Sequence, residues 1–288
     1  MTILDGKYCS AHLKEELRLL IETNRQQGIR PPCLGIIQVG ELNASTTYVD
    51  NKRHACEQVG MEVRCLRLPA TISQAELIRH LQDWNEDTLI DGYIVQLPLP
   101  EHINEQDILS AIAPEKDVDG FSPTNMGKLL MGWKGLPPAM PRGIYSLLQE
   151  YDIPLRGKDV VIIGDNHLLV RPLANLLSEK GVDCTITICH PHTRDTREHC
   201  LHADMIISAM DTPCSLTADM VREGAIVVDA GNTYLPADNA LGHKAVGDVD
   251  FQAVAPKCSF ITPVPGGVGP MIIVSLLQNT YQAAQNRM

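Results

Sequence analysis

The sequence predicts an α/β fold in two domains, each with a mainly parallel sheet flanked by helices. Three observations predict it. Short apolar runs of strand length alternate with segments of helical period, a proline- and glycine-rich stretch breaks the alternation near the middle of the chain, and the alternation then resumes. In the first half, Ser10 precedes a helix with Leu13, Leu17, Leu20 and Ile21 on one face, ended by Gly28. CLGIIQV follows as a strand. The next segment, STTYVDNKRHACEQVG, reads as a helix that Ser45 can cap and Gly60 can end in the left-handed conformation. The strand MEVRCLRL comes next, then a helix whose start carries a Ser73/Glu76 capping box and whose end lies near Trp84. IDGYIVQL is a strand, and a helix from Asn104 to Ala113 follows it.

The stretch MGWKGLPPAMPRG breaks the pattern and reads as the connection between domains. Beyond it come the strand KDVVIIG, the helix VRPLANLLSEKG, the strand DCTITIC, a helix around Thr193 to His202, the strand MIISAM, the helix TADMVREG and the strand AIVVDAG. This order predicts a Rossmann-type second domain. A last helix runs from about Met271 to Asn286. The expected division is 1–130 plus 271–288 for the first domain and 141–265 for the second, with connections at 131–140 and 266–270.

The composition narrows the function classes. With 288 residues, 44% apolar and 20% charged, the chain has the balance of a soluble globular protein. A net charge of −11 argues against a nucleic-acid or anionic-membrane partner. It also means that an anionic ligand needs a local basic site. The nine cysteines are odd in number, scattered and without CxxC, as a reducing cytosol permits. The N-terminus lacks the order of a signal peptide, and no apolar run approaches the ~18 residues of a membrane span. By exclusion this points to a bacterial-type cytoplasmic location.

Tyr48 and Lys52 stand four residues apart, on one face of their helix, as a candidate acid/base or electrostatic site. Three further segments join them. GYIVQLPLPEH carries Gln96 after an apolar run, PEKDVDGFSPTN carries Asp117 and Asp119 before Gly120, and ITPVPGGVGPM carries prolines and glycines into a helix. YVxxK, QLPLP, KDVDG and PVPGGVGPM, in this order and over nearly the whole chain, resemble the bifunctional methylenetetrahydrofolate dehydrogenase/methenyltetrahydrofolate cyclohydrolase family, the FolD type.

The resemblance implies a folate site with Lys52 as catalytic lysine, Gln96 as its hydrogen-bonded partner and Tyr48 packed along the folate. It implies Asp119 as the carboxylate that pairs with the pterin, and a wall formed by Leu97, Pro98, Pro265, Gly266 and Gly267. In the family the last helix returns to the first domain, a crossing that makes the cleft, and the enzymes are homodimers. Standing alone, Gln96 reads as a strand-end amide bonded to nearby backbone, Tyr48 as a half-buried helix residue, and an Asp before Gly120 as a turn former. That last reading fits Asp117 better than Asp119.

The cofactor half departs from the family. Its loop pattern GRSxxVGxP reads GDNHLLVRP here, so Gly164 stays but Asp165, Asn166 and Val170 replace Arg, Ser and Gly. Asp165 would repel the ribose phosphate of NADP, and Val170 would crowd the pyrophosphate. Asp211 replaces a glycine, DVGIN becomes DAGNT with Asn232, Ile272 replaces a threonine, and CHSxT survives as CHPHT with His190. The expected cofactor residues are therefore a degenerate set: Gly164, Asp165, Asn166, His190, Asp211 and Asn232. The changes predict cyclohydrolase activity with the NADP-dependent dehydrogenase weakened or lost. The alternatives are a fully bifunctional enzyme using NADP or NAD through an altered pocket, and a non-catalytic folate-binding or regulatory protein. The Cys/His-rich CHPHTRDTREHCLH lacks standard zinc-finger spacing, and no metal site is expected.

Overall fold

The computed structural model describes residues 1–40, 43–238 and 243–287. Contacts divide the chain into two units, one made of 11–139 and 273–288, the other of 1–10 and 140–272. The first ten residues thus group with the second sheet rather than with the first domain. The reason is a strand at the extreme N-terminus: β1 (Thr2–Ile3) pairs in parallel with Phe260–Ile261.

The first unit carries the three-stranded parallel sheet. Helix α1 (Gly6–Gln26) begins earlier than its sequence pattern indicated. Asp5 caps it, since its Oδ1 accepts from the N–H groups of Lys7 and Tyr8, so Ser10 lies inside. Leu13, Leu17 and Ile21 are buried at a strict spacing of four, whereas Leu20 faces solvent. Gly28 follows with a φ of 82°. Strand β2 (Cys33–Val39) is buried throughout, and helix α2 (Asn43–Val59) crosses to β3 (Glu62–Leu68). Because α2 starts at Asn43, Ser45 sits in its first turn and is not its cap; the preceding residue lies outside the described residues. Helix α3 (Gln74–Glu86) opens on the full Ser73/Glu76 capping box. Strand β4 (Gly92–Val95) lies on the other side of β2, giving the order β3-β2-β4. Asn104 caps α4 (Glu105–Ala111), accepting from Gln106 and Asp107 N–H groups.

Two helices occupy ground that the proline-rich pattern had marked as connection or left unassigned. Ser122 and Pro123 open α5 (Pro123–Leu130), and α6 (Ala139–Glu150) begins before Pro141. A proline in the first helical turn forfeits no hydrogen bond, so the stretch can carry a helix start.

The second unit is a six-stranded parallel sheet. Its strands are β5 (Asp159–Gly164), β6 (Thr185–Cys189), β7 (Met205–Ala209), β8 (Ile226–Asp229), a distal β11 (Phe260–Ile261) and β1, in the order β1-β11-β8-β7-β5-β6. Helix α7 (Val170–Ser178) links β5 to β6, and α8 (Thr196–His202) links β6 to β7. The expected helix in TADMVREG is only a 3-10 turn, Ala218–Met220. An antiparallel pair, β9 (Thr233–Pro236) with β10 (His243–Val246), was not apparent in the sequence; α9 (Phe251–Val254) follows it. The reversal of strand order beside β5 is the Rossmann arrangement, whose ligands sit at the carboxyl ends of the strands. Helix α10 (Val268–Gln285) closes the chain, and its Leu276, Leu277 and Ala283 complete the core of the first unit with Leu34, Ile36, Val49 and Ile94.

Close packing on β2 supplies a test. A Cβ on Gly35 would stand 2.5 Å from Trp84 Cζ3 and 2.7 Å from Tyr93 Cβ. Gly35→Ala is expected to destabilise the protein by about 1–3 kcal/mol or more, read as a lower urea midpoint with an unchanged slope.

Candidate active site

The carboxyl end of β4 and the middle of α2 carry the central contact. Lys52 Nζ donates to Gln96 Oε1 at 2.9 Å, and Gln96 Nε2 donates to the Leu97 carbonyl at 2.8 Å. The Gln96 backbone N–H continues the ladder to Ile37 O. With its Nε2 engaged, the amide has one orientation left, so its oxygen faces the lysine. Gln96 does bond neighbouring backbone, as a strand-end amide would, and uses that bond to aim its other end. Tyr48 lies one turn before Lys52 on α2 and is half-buried. Leu97 is half-buried and Pro98 is exposed.

Asp119 reaches this neighbourhood along a segment that is almost a fourth strand. Tyr93 N–H donates to Lys116 O, and Tyr93 pairs with Asp117 in a single parallel bridge. Two residues further on, Asp119 comes level with the end of β4, where Gln96 begins. Asp117 is the turn former: its carboxylate accepts from the N–H groups of Gly120, Phe121 and Ser122 and from Asn125 Nδ2. The Asp119 carbonyl accepts from Ala139 N–H, and the Val118 carbonyl accepts from Asn279 Nδ2. Asn279 and Lys116 escaped the sequence reading. A buried asparagine inside the apolar run of α10 was the available signal.

Electrostatics couple the two ionisable groups. Burial pulls the Lys52 ammonium below the ordinary lysine range, and the Asp119 carboxylate partly restores it. Burial pushes Asp119 up to about 6, with Lys52 opposing the rise and Asp117 adding to it. A lysine moved toward neutrality beside an oriented amide is the arrangement a general base needs.

The remaining expected residues belong to the second unit. Pro265 is exposed, while Gly266 and Gly267 are buried. These glycines admit close approach, but of the chain's own N-terminus: Lys7 N–H donates to Gly266 O, and Gly6 packs directly on the Gly267 carbonyl.

The cofactor residues gather at the carboxyl ends of β5, β6, β7 and β8, and two expected obstructions are not there. Val170 is buried at the start of α7, with its Cγ2 3.1 Å from where a Gly164 Cβ would stand, so it packs onto the sheet rather than crowding a ligand loop. Asp211 takes a left-handed φ of 50°, which explains a glycine preference there, and its Oδ1 accepts from Asn232 N–H at 2.9 Å. Its charge is engaged in joining the loops after β7 and β8. Gly164 has no room for a Cβ, which would stand 2.5 Å from Ala209 O. Asn166 Oδ1 accepts from Leu168 N–H ahead of α7, and Asp165 is exposed. His190 closes a turn with Thr193, and its Nδ1 accepts from His192 N–H. Among the described residues no group of three or more His, Cys, Asp or Glu converges as metal ligands do. Beneath these loops two buried carboxylates interlock. Asp248 accepts from Ser208 Oγ, Met210 N–H and Thr212 N–H, and Asp229 accepts from the N–H groups of Gly231, Asp248 and Val249.

The Lys52–Asp119 coupling has a direct readout. Removing the cation removes the influence that holds Asp119 down, so Lys52→Met is expected to raise the Asp119 midpoint above about 6, followed by carbon-13 NMR of the labelled carboxyl.

Comparison with known proteins shows the family. Residues 4–119 match the catalytic-domain model, and residues 138–288 the NAD(P)-binding-domain model, of tetrahydrofolate dehydrogenase/cyclohydrolase. The bifunctional protein FolD of Porphyromonas gingivalis is 47% identical over 286 residues, covering 98% of this chain and 97% of that one. The crystal structure of the Campylobacter jejuni bifunctional enzyme FolD is 45% identical with a TM-score of 0.94, covering 100% of both chains. A Trypanosoma brucei methylenetetrahydrofolate dehydrogenase-cyclohydrolase, complexed with NADP and an inhibitor, is 32% identical with a TM-score of 0.95, covering 100% of this chain and 98% of that one. The expectation of a failed dinucleotide domain therefore loses its support twice over, from the match to the NAD(P)-binding model and from the inward packing of Val170 and engagement of Asp211. The chain belongs to the tetrahydrofolate dehydrogenase/cyclohydrolase family.

Proposed function

We propose that this chain is a bifunctional enzyme of one-carbon folate metabolism, oxidising methylenetetrahydrofolate and hydrolysing methenyltetrahydrofolate to the 10-formyl compound. The Lys52–Gln96 contact beside Asp119 carries the reading. A folate binder without chemistry needs the Asp119 carboxylate but has no use for a lysine driven toward neutrality.

Asp119 accepts the paired amino and ring N–H donors of the pterin in a bidentate contact. A carboxyl titrating at about 6 is mainly ionised at neutral pH and competent for that role. In the hydrolytic step, water adds to the methenyl carbon and its proton passes to Lys52 Nζ, held in place by Gln96. The bond from that carbon to the ring nitrogen then breaks, Lys52 returns a proton to the ring nitrogen, and the hydroxyl proton leaves as the formyl carbonyl forms. One proton is released overall. A nicotinamide dinucleotide, when bound, supplies the hydride acceptor for the oxidation. The donor set fits such a group: a side-chain-free Gly164, an exposed Asn166 and the joined loops of Asp211 and Asn232 lie at the Rossmann switch point. The NADP complex of the trypanosomal relative favours NADP, while Asp165 keeps NAD as the alternative. A cytoplasmic location belongs to the same reading, supported by bacterial relatives of matching length; a homodimer is what the family resemblance implies, and light scattering tests it.

The test is to assay the two half-reactions separately. Lys52→Met is expected to abolish methenyl hydrolysis while largely keeping folate binding; hydrolysis at the parent rate would remove Lys52 from the mechanism. Asp119→Asn is expected to weaken folate binding by about 1.5–3 kcal/mol. Calorimetry with NADP and NAD decides the other half. Asp165→Asn is expected to tighten NADP about tenfold relative to NAD, a fraction of the unscreened repulsion of one charge pair. Failure of both dinucleotides to bind would confine the enzyme to hydrolysis.

A further inference from the structure

Lys116 is fully buried, and nothing in the proposed chemistry uses it. Its Nζ donates to two carbonyls, Trp84 O and Asp87 O, each at 2.6 Å. Both carbonyls belong to the carboxyl end of α3, where backbone acceptors lack helical partners and the helix dipole favours a cation. Burial pulls the ammonium down to about 8 and Arg287 adds to the fall, while Asp87, Asp91 and Glu115 oppose it. A buried ammonium is costly to keep, and an apolar side chain would fill the same volume more cheaply. Its distinctive property is to fasten two backbone points to one position of its own segment.

That segment is the one that delivers Asp119. It meets β4 through a single bridge, Tyr93 with Asp117, rather than through a ladder. A single bridge specifies register weakly, and a slip of one residue sends every side chain to the opposite face. Asp119 lies three residues beyond Lys116, so the same slip would turn its carboxylate away from Lys52 and Gln96. The bonds from Asn279 to Val118 O and from Ala139 to Asp119 O hold the segment sideways. Asn85 of α3 donates to Ala111 O and accepts from the Ala113 N–H just upstream, and Lys116 is the side chain that reaches both the Trp84 and Asp87 carbonyls.

We propose that Lys116 is a positioning residue of the folate site: it locks the register of residues 116–119 against β4 and thereby places the Asp119 carboxylate. The ligand part of this inference rests on the folate reading above; the register part does not.

The experiment pairs Lys116→Met with Tyr93→Phe. The second variant removes the bonds from Tyr93 Oη to Leu81 O and Asn85 Oδ1 and so loosens the same helix, while the Tyr93 backbone keeps its bond to Lys116 O and its bridge to Asp117. Two readouts are taken. Carbon-13 NMR follows the Asp119 carboxyl without ligand, and calorimetry measures 5-formyltetrahydrofolate binding in a double-mutant cycle with Asp119→Asn. Lys116→Met is expected to shift the Asp119 midpoint away from about 6, because a displaced carboxylate leaves both the burial that raises it and the Lys52 that lowers it. It is also expected to weaken folate binding at least tenfold, with the loss absent in the Asp119→Asn background. Tyr93→Phe lowers Tm and leaves both readouts in place. An unchanged Asp119 midpoint in folded Lys116→Met, or a binding loss that adds fully to that of Asp119→Asn, overturns the proposal. If Lys116→Met does not fold, Lys116→Gln, too short to reach both carbonyls, is read in the same way. A parent protein that binds no reduced folate would sink the proposed function, while the ligand-free titration still decides the register lock.

Discussion

Two groups that burial drives toward neutrality, held where each keeps the other partly charged, set the character of this site. Burial alone would discharge both Lys52 and Asp119. Their mutual attraction opposes that, leaving a lysine below its ordinary range and a carboxyl at about 6. The balance depends on their separation, and much of the first unit serves to fix it. Strand β4 ends at the amide that orients the lysine, α2 carries the lysine one turn beyond Tyr48, and residues 116–119 are tied down from several sides. Gly120, with a φ of 76° and no room for a Cβ beside Pro138, lets the chain leave immediately after Asp119.

The second unit solves a similar problem by other means. Loops at the ends of β7 and β8 are held by carboxylates that take up backbone N–H groups instead of by salt bridges. Asp229 and Asp248 are buried with such donors around them, and Gly231 after β8 lies directly against the Asp248 carboxylate as Gly247 after β10 does against that of Asp229, which leaves no room for a Cβ at either. Asp229 is pushed up to about 6 by burial, opposed by its backbone donors and reinforced by Asp248. Folding therefore raises its affinity for a proton. Its contribution favours the folded state most at acidic pH and fades as pH rises through about 6.

The sequence exposed most of what is local. Strand runs, the Ser73/Glu76 capping box, Gly28 and Gly60 as helix ends, and the Tyr48/Lys52 face all depend on residues within a few positions of each other. So does the turn role of Asp117, the only nearby carboxylate suited to collect three successive N–H groups. What stayed hidden depends on residues far away in the chain. The β1–β11 pairing joins positions near opposite ends, and the hold of Asn279 on Val118 spans most of the first unit. The reading of the dinucleotide loop failed for a related reason. Residue type gave the charge of Asp211 and the bulk of Val170, but not their direction. One is engaged with Asn232 N–H and the other faces the sheet.

The pairing of β1 with β11 also bears on how the protein is made. Thr2 pairs with Phe260, so this strand must wait for a partner made far later along the chain. The first unit has a like dependence, because Leu276 and Leu277 of α10 complete a core begun by Leu17 and Leu34. The first unit cannot complete its core until α10 is available. During translation the apolar faces of β2 and β4 lack their covering helix until α10 is made. The same topology makes the two halves hard to separate by cutting the gene once between residues 139 and 140, since that cut leaves the second sheet without β1 and the first without α10.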